Sequence, residues 1–127
     1  LCEIANRFEI RGSGSIIGIS SVAGDRGRAS NYIYGSVKSG LTSFLSGLRN
    51  RLHKTNVRVL TVLPGFVKTK MTIKMDLPSF ITANPESISN TIYHNKDKSK
   101  VIYPIPWQII MGIIKNVPEF IFKRIKL

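Results

Sequence analysis

The stretch Ser15-Ile-Ile-Gly-Ile-Ser20 decides the fold, because it is a short apolar run that follows a Gly/Ser turn. Runs of this kind are typical of strands that are buried on both faces of a parallel sheet. A second run, Val57-Arg-Val-Leu-Thr-Val-Leu63, is also rich in β-branched residues and stops at Pro64-Gly65. The two runs predict two neighbouring strands of one sheet.

A long helix is predicted between the two strands, because parallel strands need a crossover connection. Ser30 or Asn31 is the expected N-cap, and Asn56 ends the pattern. Apolar residues recur at helical spacing and form the predicted core face, which consists of Leu41, Phe44, Leu45, Leu48 and Leu52.

The flanking segments continue the alternation of helices and strands. Residues 1–10 read as the tail of a helix, 66–80 as an irregular loop and 84–95 as a helix with Pro85 in its first turn. Residues 101–103 read as a third strand, and a helical segment follows from Trp107. This order predicts an α/β fold with a parallel sheet covered on both sides by helices.

Composition and charge limit the class of protein. The chain has 127 residues, which suits one small domain, and 43% of them are apolar, which argues against disorder. The formal charge of +12 favours polyanionic partners, but the basic residues are dispersed and no aromatic residues interleave with them, so nucleic acid is not an expected partner. The single cysteine, Cys2, excludes an internal disulfide and favours a reducing compartment.

The C-terminal segment 104–127 is a separate basic amphipathic tail in this interpretation, and residues 1–103 form the domain. On a helical wheel, one face carries Trp107, Ile110, Ile114, Val117, Ile121 and Ile125, and the other carries Gln108, Lys115, Glu119, Lys123 and Lys126. Two alternatives stay open. Either the helix lies in a membrane interface with Trp107 at the headgroup level, or it packs on its own domain or on a partner subunit. In both, Pro118 kinks the helix or starts its second half.

Three polar side chains are predicted to meet at one edge of the sheet. Tyr34 and Lys38 are four residues apart at the start of the long helix and therefore share a face. Ser21 follows the first strand, and ligands of parallel sheets bind beyond the carboxyl ends of the strands. A phenol with a cation nearby can act as a general acid or base, and a serine hydroxyl can hold a carbonyl oxygen beside it. Each residue alone is a weak signal.

Together these motifs resemble the second half of the short-chain dehydrogenase/reductase family. The similarity rests on Ile16–Ser21, on Tyr34-Gly-Ser-Val-Lys38 and on Leu63-Pro-Gly-Phe-Val-Lys-Thr69, and it covers residues 1–75. It implies the second half of a Rossmann-like doubly wound sheet and a hydride transfer between a carbonyl or alcohol and NAD(P), with the choice of cofactor left open.

The resemblance also implies roles for individual residues. Tyr34 is the general acid/base, Lys38 binds the nicotinamide ribose and favours the phenolate, and Ser21 orients the substrate carbonyl. The residues implied for the nicotinamide end of the cofactor are Pro64, Gly65, Val67 and Thr69, besides Tyr34 and Lys38. No metal site is expected.

A subfamily resemblance rests on Gly24-Asp-Arg-Gly-Arg28 and on the basic tail. It is similar to the reductases of polyprenyl-phosphoryl keto-pentoses. The implied substrate is then a small molecule or a lipid-linked sugar, and the implied location is cytoplasmic, at the inner membrane face, with peripheral contact through residues 107–127. The family resemblance also implies a homo-oligomer that forms through the helix bearing Tyr34.

The Gly-rich turn with which this family cradles the cofactor pyrophosphate does not occur in the sequence. Leu1 begins a pattern that resembles the end of a longer helix, so we expect a truncated chain that neither binds cofactor well nor turns over alone. Three hypotheses follow: an oxidoreductase half, an inactive remnant of such an enzyme, and a basic membrane-surface or partner-binding module.

Overall fold

The computed structural model describes residues 1–70, 72–73 and 75–125. The helices are α1 (Cys2–Arg11), α2 (Tyr32–Arg51), α3 (Pro85–Tyr93), α4 (Trp107–Asn116) and α5 (Glu119–Phe122). The strands are β1 (Gly14–Ile19), β2 (Val57–Val62), β3 (Phe66–Val67), β4 (Thr82–Ala83) and β5 (Val101–Ile102). Short 3-10 turns cover Val22–Gly24 and Ser79–Ile81.

The main sheet has the strand order β1-β2-β5, and all of its pairings are parallel. Gly14 pairs with Val57, and the register continues to Ile19 beside Val62. The parallel α/β fold predicted from the two apolar runs is therefore confirmed. The predicted loop over 66–80 is partly wrong, because β3 lies within it and pairs with β4. Strands of two residues are too short to leave a hydrophobic period in the sequence.

One core cluster lies where α2 packs on β1 and β2. The leucines Leu45, Leu48 and Leu52 are buried there, as predicted. Gly18 allows this close packing, since a β-carbon at that position would lie 2.1 Å from Cδ1 of Leu45. Phe44 was expected in the same core, and that prediction is wrong, because its side chain is 39% exposed at the flank of the helix.

A second core cluster contains Val22, Leu63, Trp107 and Met111. Trp107 is only 5% exposed, so it does not stand at a membrane headgroup level. The structure thus matches the alternative in which this face of the C-terminal segment packs on its own domain. The segment is interrupted at Pro118, which precedes α5, as expected for a proline that starts a second half. Lys126, which was placed on the polar face, lies outside the described residues.

Within the described part of the chain, no helix is long and apolar enough to cross a membrane.

Candidate functional site

The ends of β1 and β2 are joined side by side. The amide of Ser20 donates to the carbonyl of Val62 at 2.8 Å, and the amide of Val22 donates to the carbonyl of Pro64 at 3.0 Å. The ladder therefore continues past the end of β1 and holds Ser21 against the Pro64 turn. The sequence prediction that these two strand ends share one edge of the sheet is borne out by these bonds.

Ser21 is buried and caps the turn that follows it. Its side-chain oxygen accepts a hydrogen bond from the amide of Ala23 at 3.2 Å, and its hydroxyl faces the carbonyl of Pro64 at 3.5 Å. A donor–acceptor distance of 3.5 Å lies beyond the usual range for an O–H donor. The Ser21 proton is therefore held weakly and can turn towards another acceptor.

The start of α2 lies against the turn that follows Ser21, because glycines stand at the contact. A β-carbon on Gly24 would lie 2.6 Å from the amide nitrogen of Ser39, and one on Gly35 would lie 2.7 Å from the carbonyl oxygen of Ala23. These close approaches bring the helix turn that carries Tyr34 and Lys38 next to the end of β1.

Lys38 is bonded to the end of β1 in two ways. Its ammonium donates to the carbonyl of Ile19 at 3.1 Å, and its main-chain carbonyl accepts from the hydroxyl of Ser20 at 2.9 Å. The Ser20 hydroxyl also lies 2.7 Å from the hydroxyl of Thr42. The ammonium is 5.7 Å from the centre of the Tyr34 ring, within reach of a cation–π contact. Lys38 therefore stands between the tyrosine and the strand end.

Tyr34 presents a free hydroxyl. Its side chain is 45% exposed and forms no hydrogen bond to any residue that the structure describes. It lines an open hollow of about 530 Å³ at the start of α2, together with Tyr32, Ile33 and Val37. No hydrogen bond joins it to Ser21 within the described residues. The structure thus groups Ser21 with Pro64, and Tyr34 with Lys38, on adjacent turns.

The segment after β2 carries the other predicted binding residues. Gly65 lies under the ring of Trp107, and the indole N–H donates to the carbonyl of Ile81 at 3.0 Å. The hydroxyl of Thr72 donates to the carbonyl of Val67 at 2.7 Å, and the amide of Thr69 donates to that same hydroxyl at 2.9 Å. Thr69 lines an open cavity of about 580 Å³ between residues 68 and 82. Within the described residues, neither Val67 nor Thr69 forms a hydrogen bond with Tyr34 or Lys38.

Sequence reasoning missed the role of Asp25, Arg26 and Tyr103 beside this site. The hydroxyl of Tyr103 donates to the carboxylate of Asp25 at 2.7 Å. Burial, and then this hydrogen bond and the charge of Asp25, raise the pKa of Tyr103 above its usual range. The available signal was the motif Gly24-Asp-Arg-Gly-Arg28, whose charged residues lie in the loop that follows the first strand.

No group of three or more His, Cys, Asp and Glu side chains that could hold a metal ion occurs within residues 1–70, 72–73 and 75–125. The predicted site residues contribute hydroxyls, an ammonium and main-chain groups.

Comparison with known proteins identifies the family. Residues 2–78 match the family model described as short chain dehydrogenase. The chain belongs to the short-chain dehydrogenase family. The match covers Ser21, Tyr34, Lys38 and the Pro64–Thr69 segment, so the whole candidate site of this short-chain dehydrogenase chain lies inside it.

Relatives of the chain are described as oxidoreductases. An uncharacterised oxidoreductase of Mycobacterium tuberculosis is 37% identical over 126 residues, which are 98% of this chain and 50% of that protein. The chain thus spans about half the length of the curated relatives that it matches first.

Solved structures show the same fold. A 7beta-hydroxysteroid dehydrogenase superimposes with a TM-score of 0.84 at 18% identity, over 96% of this chain and 51% of the other. A short-chain dehydrogenase from Sphingobium yanoikuyae, in complex with NADPH, gives a TM-score of 0.69 at 22% identity, over 91% of this chain and 50% of the other.

Proposed function

We propose that the chain is the catalytic half of an NAD(P)-dependent oxidoreductase that interconverts a carbonyl and an alcohol. The observation that carries this proposal is the pair of adjacent turns at the carboxyl edge of the sheet. One turn holds Ser21 against Pro64, and the other presents the free Tyr34 hydroxyl beside the Lys38 ammonium. Membership of the short-chain dehydrogenase family supports the same reaction class.

The proposed roles follow from what each side chain can do where it lies. Tyr34 gives a proton to the substrate oxygen or takes one from it, since its hydroxyl is uncommitted. Lys38 places its ammonium beside the Tyr34 ring and keeps N–H groups for the hydroxyls of a ribose. Ser21 turns its weakly held proton to the same substrate oxygen and fixes its position.

A nicotinamide cofactor, when bound, supplies or accepts the hydride. The residues proposed to hold its nicotinamide end are Pro64, Gly65, Val67 and Thr69; Gly65 is packed against the Trp107 indole, and Thr69 lines an open cavity of about 580 Å³. A structural neighbour of the same fold binds NADPH, which supports NAD(P) as the class of cofactor. Since the sequence lacks the Gly-rich turn for the pyrophosphate, we expect a further segment to complete the cofactor site.

A chimaeric protein tests the proposal. The chain would be joined to the half of the Mycobacterium tuberculosis relative that it does not match and assayed for NADPH and NADH oxidation with a panel of ketones and keto-sugars. We expect activity that falls by about 100-fold or more in Tyr34→Phe, since general acid–base groups contribute about 10²–10⁴-fold. Tyr32→Phe is the matched control, because Tyr32 is also an exposed tyrosine in the first turn of α2.

Each outcome of the assay separates the hypotheses. Equal loss in both tyrosine variants would contradict the assigned roles. An inactive but folded chimaera that binds NADPH would favour the inactive remnant. The isolated chain is expected to show no saturable thermal stabilisation by NADPH or NADH, and a clear saturable shift would contradict that expectation.

The proposed substrate is a small molecule or a lipid-linked sugar of the polyprenyl-phosphoryl keto-pentose kind. The row of exposed apolar side chains Ile105, Ile109, Ile113 and Phe120 supports contact with a membrane surface, at the cytoplasmic face in this proposal. This row differs from the face that the helical wheel favoured. It makes membrane-surface binding the second candidate function of the chain. A homo-oligomer through α2 is likewise proposed, because Ile33, Val37 and Phe44 are exposed on that helix.

A further inference from the structure

Arg26 lies in the loop after Ser21, yet its side chain contacts the C-terminal segment some 90 residues later in the chain. Its guanidinium donates to the carbonyls of Ile114 at 2.7 Å and Lys115 at 3.4 Å, and also to the carbonyl of Val117. It also donates to the carboxylate of Glu119 at 2.9 Å and lies 3.8 Å above the ring of Phe122. One side chain therefore holds the end of α4 and the whole of α5.

These contacts supply what the end of a helix lacks. The last carbonyls of an α-helix have no partner within the helix, and a cation there is favoured by the helix dipole. A guanidinium offers five N–H groups in a planar fork, so it can serve several carbonyls and one carboxylate together. The Arg26 side chain is only 15% exposed, which strengthens these bonds compared with a solvated pair.

Asp25 holds the same segment from its other side. Its carboxylate accepts from the Tyr103 hydroxyl at 2.7 Å and lies 3.7 Å from the ammonium of Lys115. The Asp25 side chain is 6% exposed. Asp25 therefore fixes the segment before α4 through Tyr103, and Arg26 fixes the end of α4 and the segment that follows it.

The position of α4 reaches the candidate site through two buried residues. Val22 follows Ser21 directly and packs in the cluster that contains Trp107 and Met111 of α4. Trp107 in turn lies against Gly65, so that a β-carbon there would fall within 2.2 Å of three indole atoms. A shift of α4 would therefore move the wall of the Ser21 turn and of the Pro64–Gly65 turn together.

We propose that Arg26 is a positioning residue, which sets the place of α4 and thereby the spacing between the Ser21 turn and the Pro64–Gly65 turn. The importance of those turns for hydride transfer rests on the proposed function, whereas the contacts themselves do not. A residue that merely stabilised the fold would lower the melting temperature without changing the surroundings of Trp107 in the native state.

Trp107 is the single tryptophan, so its fluorescence reports how closely α4 packs on Gly65. The measurement uses the full chain and needs no ligand. Acrylamide quenching and the emission maximum would be measured well below the melting temperature of each variant, with far-UV circular dichroism as the check of folding. In Arg26→Ala we expect the quenching constant to rise about twofold or more and the emission to shift to the red, because an opened α4 exposes the indole.

Arg26→Lys separates charge from geometry. Lysine keeps the positive charge, but its ammonium cannot serve three carbonyls, Glu119 and the Phe122 ring at once, so quenching stays above the wild-type value. Arg7→Ala is the matched control, because Arg7 forms an exposed pair with Glu3 on α1 and should leave quenching unchanged. Should Arg26→Ala not fold, Arg26→Lys and Glu119→Gln provide the same comparison.

Quenching in Arg26→Ala and Arg26→Lys that equals the wild-type value would overturn the proposal. The same variants in the chimaera distinguish a failure of the Arg26 proposal from a failure of the proposed function. There, we expect a higher KM for the cofactor with a smaller change in kcat. A chimaera without any activity would contradict the proposed function, and the quenching result would still decide the role of Arg26.

Discussion

Gly65 lies directly under the indole ring of Trp107, and a β-carbon at Gly65 would stand 1.8 Å from Cε2 of that ring. The ring cannot move aside easily, since Phe66 packs edge-on against it with ring centres 5.3 Å apart and the carbonyl of Ile81 accepts its N–H. The C-terminal helix is therefore seated on the turn that is proposed to receive the nicotinamide. A side chain at position 65 would therefore disturb the packing of α4, and a shift of α4 would change the surroundings of the turn at position 65.

Gly65→Ala should destabilise the chain by about 1–3 kcal/mol, the usual cost of adding a methyl group to a packed site with fixed neighbours. Gly112→Ala is the matched control, because Gly112 is exposed in the interior of α4 with no atom within 4 Å of an added β-carbon. That control should gain about 0.5–1 kcal/mol, because alanine suits a helix interior better than glycine. Urea denaturation followed by circular dichroism gives both values. Equal stability of the two variants would contradict the close contact.

Tyr103 should make the stability of the chain fall at high pH. Burial and the bond to Asp25 raise the pKa of Tyr103 in the folded chain, whereas in the unfolded chain its pKa is near ~10. Above that pH the unfolded chain releases the proton before the folded chain does, so the contribution of Tyr103 to stability is full below pH ~10 and is lost as the pH rises further.

The measurement is the free energy of unfolding in urea between pH 8 and pH 11. The wild type should lose more stability over this range than Tyr103→Phe, which has no phenol to titrate at that position. Tyr93→Phe, which removes an exposed tyrosine, should keep the wild-type loss. Parallel curves for the wild type and Tyr103→Phe would show that the bond to Asp25 does not hold the proton.

The sheet and the strand-end residues could be predicted because their signals are local. The apolar runs at residues 15–20 and 57–63 can be satisfied only in a buried sheet, and Ser21 and Pro64 follow them directly. The helical spacing of Leu45, Leu48 and Leu52 likewise set the core face of α2. The error at Phe44 arose because the apolar stripe of α2 is wider than its packed face, which consists of Leu41, Leu45, Leu48 and Leu52.

The tail could not be predicted in the same way. The helical wheel indicated the packed face through Trp107, Ile110 and Ile114, but Ile109-Ile-Met-Gly-Ile-Ile114 is apolar on every side, so the period does not say whether the domain or a membrane covers that face. Trp107 and Met111 pack in one cluster with Val22 and Leu63, whereas Ile109 and Ile113 are exposed. The bonds of Arg26 have no local pattern at all, since its partners are main-chain carbonyls distant in sequence.

The outward row of α4 leads to a prediction for membranes. Burying the exposed side chains Ile105, Ile109 and Ile113 in a lipid interface would gain free energy, and the net charge of +12 favours anionic lipid. The double variant Ile109→Asn with Ile113→Asn should bind phosphatidylglycerol vesicles about tenfold more weakly than the wild type. Ile10→Asn with Phe80→Asn removes two exposed apolar side chains elsewhere and is the matched control.

Vesicle sedimentation measures the partition of each variant, at low and at high salt. Binding of the wild type should weaken with salt, because part of it is the attraction between basic residues and anionic headgroups. Equal partition of the two double variants would show that the exposed side chains of α4 do not contribute to membrane binding. Equal binding of the wild type to phosphatidylcholine and to phosphatidylglycerol vesicles would show that electrostatic attraction does not contribute to binding.

The exposed row on α2 predicts self-association. Ile33, Val37 and Phe44 are exposed on that helix at offsets of four and eleven residues, and Gly40 and Gly47 continue the row without side chains. An apolar row with glycines lets a second helix approach closely, and a second copy of the chain offers the same row about a two-fold axis. We therefore expect a concentration-dependent homodimer in sedimentation equilibrium.

Val37→Glu should weaken the homodimer strongly, because two like charges would meet at the axis without water. Ser46→Glu adds the same charge at an exposed polar position of α2 outside the row and should leave the dimer intact. A monomer at every concentration, or equal weakening by both substitutions, would show that this row serves no contact between copies of the chain.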